Sequence, residues 1–294
     1  MILNISFEIF FRVKPVQFLN SAVYIYHPES CIIMLEVHNI NVRYGKSRKQ
    51  VLNDVSISMD SEKVAIVGPN GSGKKTLLKA VAGLTDINSG KISIFGKDLS
   101  AIRNELRIST NLPEVYRLMR MNTADTVRLY SELKGRDSKE ILDLIEDMDL
   151  SDTLDKMLYE LSTGQQKMIC NLLSLSGSSK LILLDEPFES IDLRRRMKLT
   201  DLIINHNAEI VMNTHEFDIL TRLKGWGLYF IIEGRLFGKF EASEVKNLYI
   251  NRGVAPNHIS VMETGFGTFS ITRNDGEISI SAARNFTSLL NEAT

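Results

Sequence analysis

Residues 68–76 read GPNGSGKKT, and their types and spacing suit the holding of phosphate. Gly68, Gly73 and Lys74 meet the pattern G-x-x-x-x-G-K-[ST]. Gly68, Gly71 and Gly73 let the backbone curl through Pro69, Asn70 and Ser72, so that several N–H groups point inward at phosphate oxygens. Lys74 would reach the outer phosphates, and the helix that follows adds its positive N-terminal end. The next position ordinarily carries a serine or threonine whose hydroxyl holds magnesium. Here it is Lys75, followed by Thr76. A lysine cannot ligate a cation, because it carries one. Either its ammonium lies where magnesium would lie, which permits nucleotide binding and weakens hydrolysis, or it bends away toward an acidic neighbour.

A carboxylate pair comes second. In LILLDEP (181–187) an apolar strand would present Asp185 and Glu186 at its C-terminal end, the edge at which open α/β sheets bind ligands. Asp185 is placed to hold magnesium, directly or through water, and Glu186 to polarise a water for attack on a terminal phosphate. Alone, the pair would be an ordinary turn before Pro187; a phosphate loop upstream gives it a ligand to act on.

The elements that must position these groups follow from periodicity. The stretch after Met34 alternates like a strand, and VLNDVSISM (51–59) and KVAIV (63–67) are rich in β-branched residues. The latter runs directly into the glycine loop. KKTLLKAVAGL (74–84) predicts a helix with Leu77, Leu78 and Val81 on one face and Gly83 near its end. GKISIFG (90–96) reads as a strand. Residues 98–165 read as a mainly helical insertion, with Thr123 and either Asp137 or Ser138 as helix caps. A helix at 164–177, the acidic strand, a helix at 192–205, the strand AEIVMNTHE (208–216) and strands near 227–232 and 235–240 complete an α/β core with a largely parallel sheet covered on both sides. In 254–294 three short alternating runs predict strands, with NDG (274–276) as a hairpin turn.

LSTGQQ (161–166) carries the most specific signal. Ser162 lies nineteen residues before Leu181, and the segment resembles the LSGGQ signature of ATP-binding cassette (ABC) ATPases at that family's usual distance from the aspartate strand. The remaining motifs fall in the family's order. Tyr44 matches the aromatic residue that stacks on adenine. NLPE (111–114) resembles the Q-loop, with Glu114 in place of a glutamine. Asp192 in ESID matches the D-loop aspartate, and His215 in MNTHE the switch histidine that contacts the terminal phosphate. Thr163 departs mildly, replacing the first glycine of the signature pair.

The resemblance implies an α/β fold of the P-loop NTPase class. It comprises a RecA-like parallel-sheet core, an antiparallel β subdomain, a helical signature subdomain and a small C-terminal appendage. It implies ATP and Mg2+ as cofactors, Lys74, Glu186 and His215 as catalytic groups, and Asp185 and Glu114 as metal ligands. Ser162, Gly164 and Gln165 would serve ATP in trans across a head-to-tail dimer, with a second copy or another cassette. The implied partner is a polytopic membrane permease, which puts the chain in the cytoplasm, peripheral on the inner face of the cell membrane. Two other classes fit the same motifs: a soluble, non-transport ABC ATPase, and a regulatory ATP-binding subunit with degenerate hydrolysis.

Composition bounds these readings. The 294 residues are 44% hydrophobic and 24% charged, with a formal net charge of -1; no basic field points to nucleic acid. Cys31 and Cys170 match no metal or disulfide spacing, which favours a reducing compartment. The expected domains are an extension over 1–33, the ABC ATPase domain over 34–240 with its helical part at about 98–165, and an α/β appendage over 241–294. The extension reads either as a genuine arm or as the product of a start codon placed too far upstream. Its apolar MILNISFEIFFRV carries Glu8 and Arg12 and lacks the layout of a signal peptide.

Overall fold

The structure, a computed structural model, describes residues 34–45, 49–60, 62–102, 105–116 and 120–282; the extension over 1–33 lies outside them. The described residues run through β1 (Leu35–Tyr44), β2 (Lys49–Met59), β3 (Lys63–Val67), α1 (Lys74–Val81), β4 (Ser89–Ile94), β5 (Lys97–Asp98) and β6 (Ile108–Thr110). Helices α2 (Pro113–Tyr116), α3 (Thr123–Leu133), α4 (Ser138–Asp147) and α5 (Thr163–Leu175) follow. Then come β7 (Leu181–Asp185), α6 (Leu193–Asn205), β8 (Glu209–Thr214), α7 (Phe217–Leu220), β9 (Gly227–Ile232) and β10 (Arg235–Glu241). The last strands are β11 (Leu248–Arg252), β12 (Ser260–Thr264), β13 (Gly267–Arg273) and β14 (Ile278–Ser279).

Among the described residues three sheets result, ordered β2-β1-β4-β5, β10-β9-β3-β8-β7-β6 and β12-β13-β11-β14. The central one is parallel from β9 to β6, with β10 antiparallel at one edge. Strands β7, β8 and β9 are buried along their whole length, which explains the nearly continuous apolar runs of β7 and β9: a parallel strand is covered on both faces. Successive residues alternate between two cores. Val64, Ile66, Leu181 and Leu183 pack with β1, β2 and α1. Ala65, Val67, Ile182 and Leu184 pack with α5, α6, the helical segment and the C-terminal strands.

Three local expectations change. The segment read as mainly helical contains β6, an edge strand of the core sheet paired with β7; its three residues are too few for periodicity to register. Asn122, not Thr123, caps α3, its Oδ1 accepting from the Asp125 N–H at 2.7 Å. Thr123 is instead buried, its hydroxyl donating to the Lys156 carbonyl. NDG does not close a hairpin. Both edges of β13 are already taken by β11 and β12, so the turn, with Asn274 at φ 67°, carries the chain past β11 to pair β14 on its far side.

Candidate functional site

Strand register brings the predicted groups to one edge. Val67 lies opposite Thr214 and Asp185 opposite Asn213, so the loops leaving β3, β7 and β8 start side by side. The loops after β3 and β7, with Tyr44 of β1 and Val51 of β2, line a cleft of about 390 Å3 that includes Asn70, Gly71, Lys74, Lys75, Thr76, Asp185 and Glu186. Gly73 enters α1 at φ 109°, a conformation that costs glycine nothing. A side chain at Gly68 would put Cβ 2.1 Å from the Ile231 carbonyl oxygen, so the loop closes only with glycine there. The first turn of α1 holds no acidic residue and two lysines, which leaves the helix end strongly positive. Ser72 Oγ is buried in this loop without a hydrogen-bond partner. Tyr44, 41% exposed at the end of β1, hydrogen-bonds through its hydroxyl to Thr85 Oγ1 at 2.9 Å.

Lys74 folds inward, donating to the carbonyls of Gly68 at 2.7 Å and Pro69 at 3.2 Å. It also lies 3.4 Å from Glu186 Oε1. The other Glu186 oxygen accepts from His215, from the ring Nδ1 at 2.8 Å and the backbone N–H at 3.2 Å. Glu186 itself sits at φ 43°, an uncommon conformation for a residue with Cβ. Lys74, Glu186 and His215 thus form one continuous chain of polar contacts.

Lys75 is the centre of the second cluster. Its Nζ lies 3.4 Å from Glu114 Oε1 and 3.4 Å from Asp185 Oδ2. It bridges the two carboxylates expected to hold magnesium. Lys79, one turn further along α1, approaches Glu114 Oε1 at 2.8 Å. Burial pushes the Glu114 carboxyl up, but the hydrogen bond from Lys79, a backbone bond and the charges of Lys75 and Lys79 outweigh it and hold the group at about 2. Glu114 Oε2 is buried with no hydrogen-bond partner. An orphaned carboxylate oxygen beside Asp185 is the hard oxygen donor set that suits magnesium, so Glu114 and Asp185 fit the ion, whereas Lys75 offers it no ligand.

The signature residues do not line this cleft. Ser162 caps α5 and Gln165 caps it reciprocally, through Gln165 N–H to Ser162 Oγ at 3.3 Å and Ser162 N–H to Gln165 Oε1 at 3.1 Å. A Cβ at Gly164 would meet the Ser190 carbonyl oxygen at 2.3 Å. The second signature glycine is therefore required by the chain's own ESID loop, whose Ser190 sits at φ 61°. Thr163 is exposed and meets no such constraint, so its substitution for glycine is tolerated locally. Asp192 caps α6, accepting from the Arg195 N–H at 3.1 Å.

Two residues at the site escaped the sequence reading. Asn213, fully buried, donates to Asp185 Oδ1 at 2.8 Å and accepts from the Glu186 N–H at 2.7 Å. It orients the Asp185 carboxylate and holds the backbone N–H of Glu186. The signal was an amide directly after the apolar run IVM, two residues before His215. Lys79, whose ammonium reaches Glu114, was assigned no role from the sequence.

Known proteins place these features in a family. A family model described as ABC transporter matches residues 52–189. The zinc import ATP-binding protein ZnuC of Hydrogenovibrio crunogenus is 29% identical over 196 residues, covering 64% of this chain and 75% of that protein. The lantibiotic transport ATP-binding protein SrtF of Streptococcus pyogenes is 29% identical over 220 residues, covering 73% and 94%. Among solved structures, one designated as a cobalt transport ATP-binding protein (cbiO-2) is 34% identical, with a TM-score of 0.81 over 88% of this chain and 99% of that one. A dimeric cassette, MJ0796 with ADP and phosphate, shares the fold at 21% identity and a TM-score of 0.62, covering 71% and 99%. With its P-loop NTPase core, this chain belongs to the ABC transporter family, as one of its ATP-binding, ATP-hydrolysing subunits.

Proposed function

We propose that the chain binds ATP with Mg2+ in the cleft beneath Tyr44 and pairs head-to-tail with a second cassette, its own copy or another. In this reading it drives a polytopic permease from the cytoplasmic face of the membrane. Among the described residues no helix is long and apolar enough to cross a bilayer, so the membrane part would come from that partner. The transporter names of the relatives favour this over a soluble, non-transport ATPase.

The residues divide the work. Tyr44 stacks on the base. The N–H groups of residues 68–76 and the ammonium of Lys74 hold the phosphates, Lys74 leaving the carbonyls of Gly68 and Pro69 to do so. Asp185 and Glu114 would hold magnesium, which when bound neutralises phosphate oxygens and orients them. Glu186, fixed by His215 and Asn213, takes the proton of the attacking water. Ser162, Gly164 and Gln165 offer the start of α5 to the nucleotide of the opposite protomer.

What carries the finer reading is Lys75, whose ammonium spans Glu114 and Asp185 at 3.4 Å each. It competes for the metal's ligands and returns no hydroxyl in exchange. ATP binding is retained and hydrolysis is slow. Steady-state hydrolysis by the full chain tests this: Glu186→Gln abolishes turnover and Lys75→Ser raises it. Turnover unchanged or lowered in Lys75→Ser refutes the brake.

A further inference from the structure

Behind Asp185 lies a buried polar network to which the motif readings assign no role, although its Asn111 opens the NLPE segment. Asn111 follows β6 and is fully buried. Its Nδ2 donates to Asn171 Oδ1 at 2.7 Å and to the Asp185 carbonyl at 3.2 Å, and its Oδ1 accepts from the Asp185 N–H at 2.7 Å. Asn171, equally buried on α5, donates to the Pro187 carbonyl at 2.7 Å. One turn earlier, Lys167 donates to the Asp185 carbonyl at 2.9 Å. Three side chains from two elements therefore grip the backbone on either side of Glu186.

Filling this space with leucine would avoid desolvating two amides and an ammonium. The amides are present and each of their oxygens and nitrogens is engaged, the condition under which a buried network specifies one arrangement rather than weakening the core. What it specifies is a register among three pieces. One is α5, which starts at the signature residues. Another is the segment from Asn111 to Glu114. The third is the strand end bearing Asp185 and Glu186.

We infer that Asn111 and Asn171 are positioning residues that lock the signature helix and the Glu114 segment to the hydrolytic carboxylates, so that displacement of α5 is felt at Asp185 and Glu186. The inference rests on the reading above, in which those carboxylates act on ATP.

The test compares the full chain with Asn171→Leu, Asn111→Ser and the milder Asn171→Ser. ATP turnover, nucleotide Kd and thermal midpoint are measured on each. A positioning role predicts kcat lower by about 10- to 100-fold, the scale of an ångström-level misplacement, with Kd within about twofold because the phosphate loop is untouched. A lowered midpoint with unchanged kcat per folded molecule overturns the inference, since the network then only holds the core together. A parallel loss of affinity and turnover overturns it as well. An unaltered chain that neither binds nor hydrolyses ATP defeats the underlying reading instead, and is recognised before any variant is compared.

Discussion

Replacing Lys75 separates its charge from its lack of a ligand. The ammonium makes two contacts at 3.4 Å, to Glu114 and to Asp185, with its own side chain 48% exposed. At that exposure solvent screens each contact to about 0.5–1 kcal/mol, so the pair resists displacement by about 1–2 kcal/mol. At 1.4 kcal/mol per factor of ten, Lys75→Met and Lys75→Ser should each lower the half-saturating magnesium concentration for hydrolysis by roughly 5- to 30-fold. Only serine also supplies a hydroxyl, so kcat at saturating magnesium should rise in Lys75→Ser and stay near the natural value in Lys75→Met. Magnesium titrations of phosphate release by the three proteins check both statements. Equal magnesium dependence in all three would refute the competition. Equal kcat gains in the two variants would refute the part assigned to the missing hydroxyl.

Three further outcomes are expected. Gly164→Ala should destabilise the chain by about 1–3 kcal/mol, because the new Cβ meets the Ser190 backbone rather than a side chain that can yield; Thr163→Gly should cost well under that, and urea midpoints distinguish the two. Asn122→Ala removes the α3 cap and should cost about 1 kcal/mol in the same assay. Burial lowers the Lys134 ammonium to about 8, below its unfolded value, so between about pH 8 and 10 the unfolded chain binds more protons and this group makes stability rise with pH; Lys134→Met should flatten that rise in denaturation curves taken across the window.

The motifs were legible because phosphate chemistry demands fixed residue types at fixed spacing. Gly68, Lys74, Asp185, Glu186 and His215 meet at one sheet edge as their spacing implies. The long parallel strands were legible because burial on both faces leaves an apolar run. What escaped lacks both signals. Strand β6, Ile-Ser-Thr, is short and half polar, and only its pairing with β7 makes it a strand. Asn111, Asn171 and Asn213 are amides placed by tertiary partners, and no periodicity marks an asparagine whose bonds run to Asp185, Glu186 and Pro187. The turn at 274–276 has hairpin chemistry, but which strand it delivers depends on which edges are already occupied.

Lys75 and Glu114 each look like a lesion when a motif is read alone. Together they add one positive and one negative charge to the same few ångströms. Lys74, Lys75 and Lys79 then face Glu114, Asp185 and Glu186, with each lysine within ion-pair distance of at least one of the three carboxylates. Lys75 without Glu114 would set three ammonium groups and a positive helix end against two carboxylates. Glu114 without Lys75 would crowd three carboxylates around two lysines and oppose the approach of phosphate. The pair restores the balance of charge, which governs whether ATP is admitted. It does not restore the hydroxyl lost at position 75, which governs how the metal and terminal phosphate are oriented. On the proposed reading, binding and turnover answer to different features of a single site, and this is the physical reason to expect a cassette that holds ATP well and releases phosphate slowly.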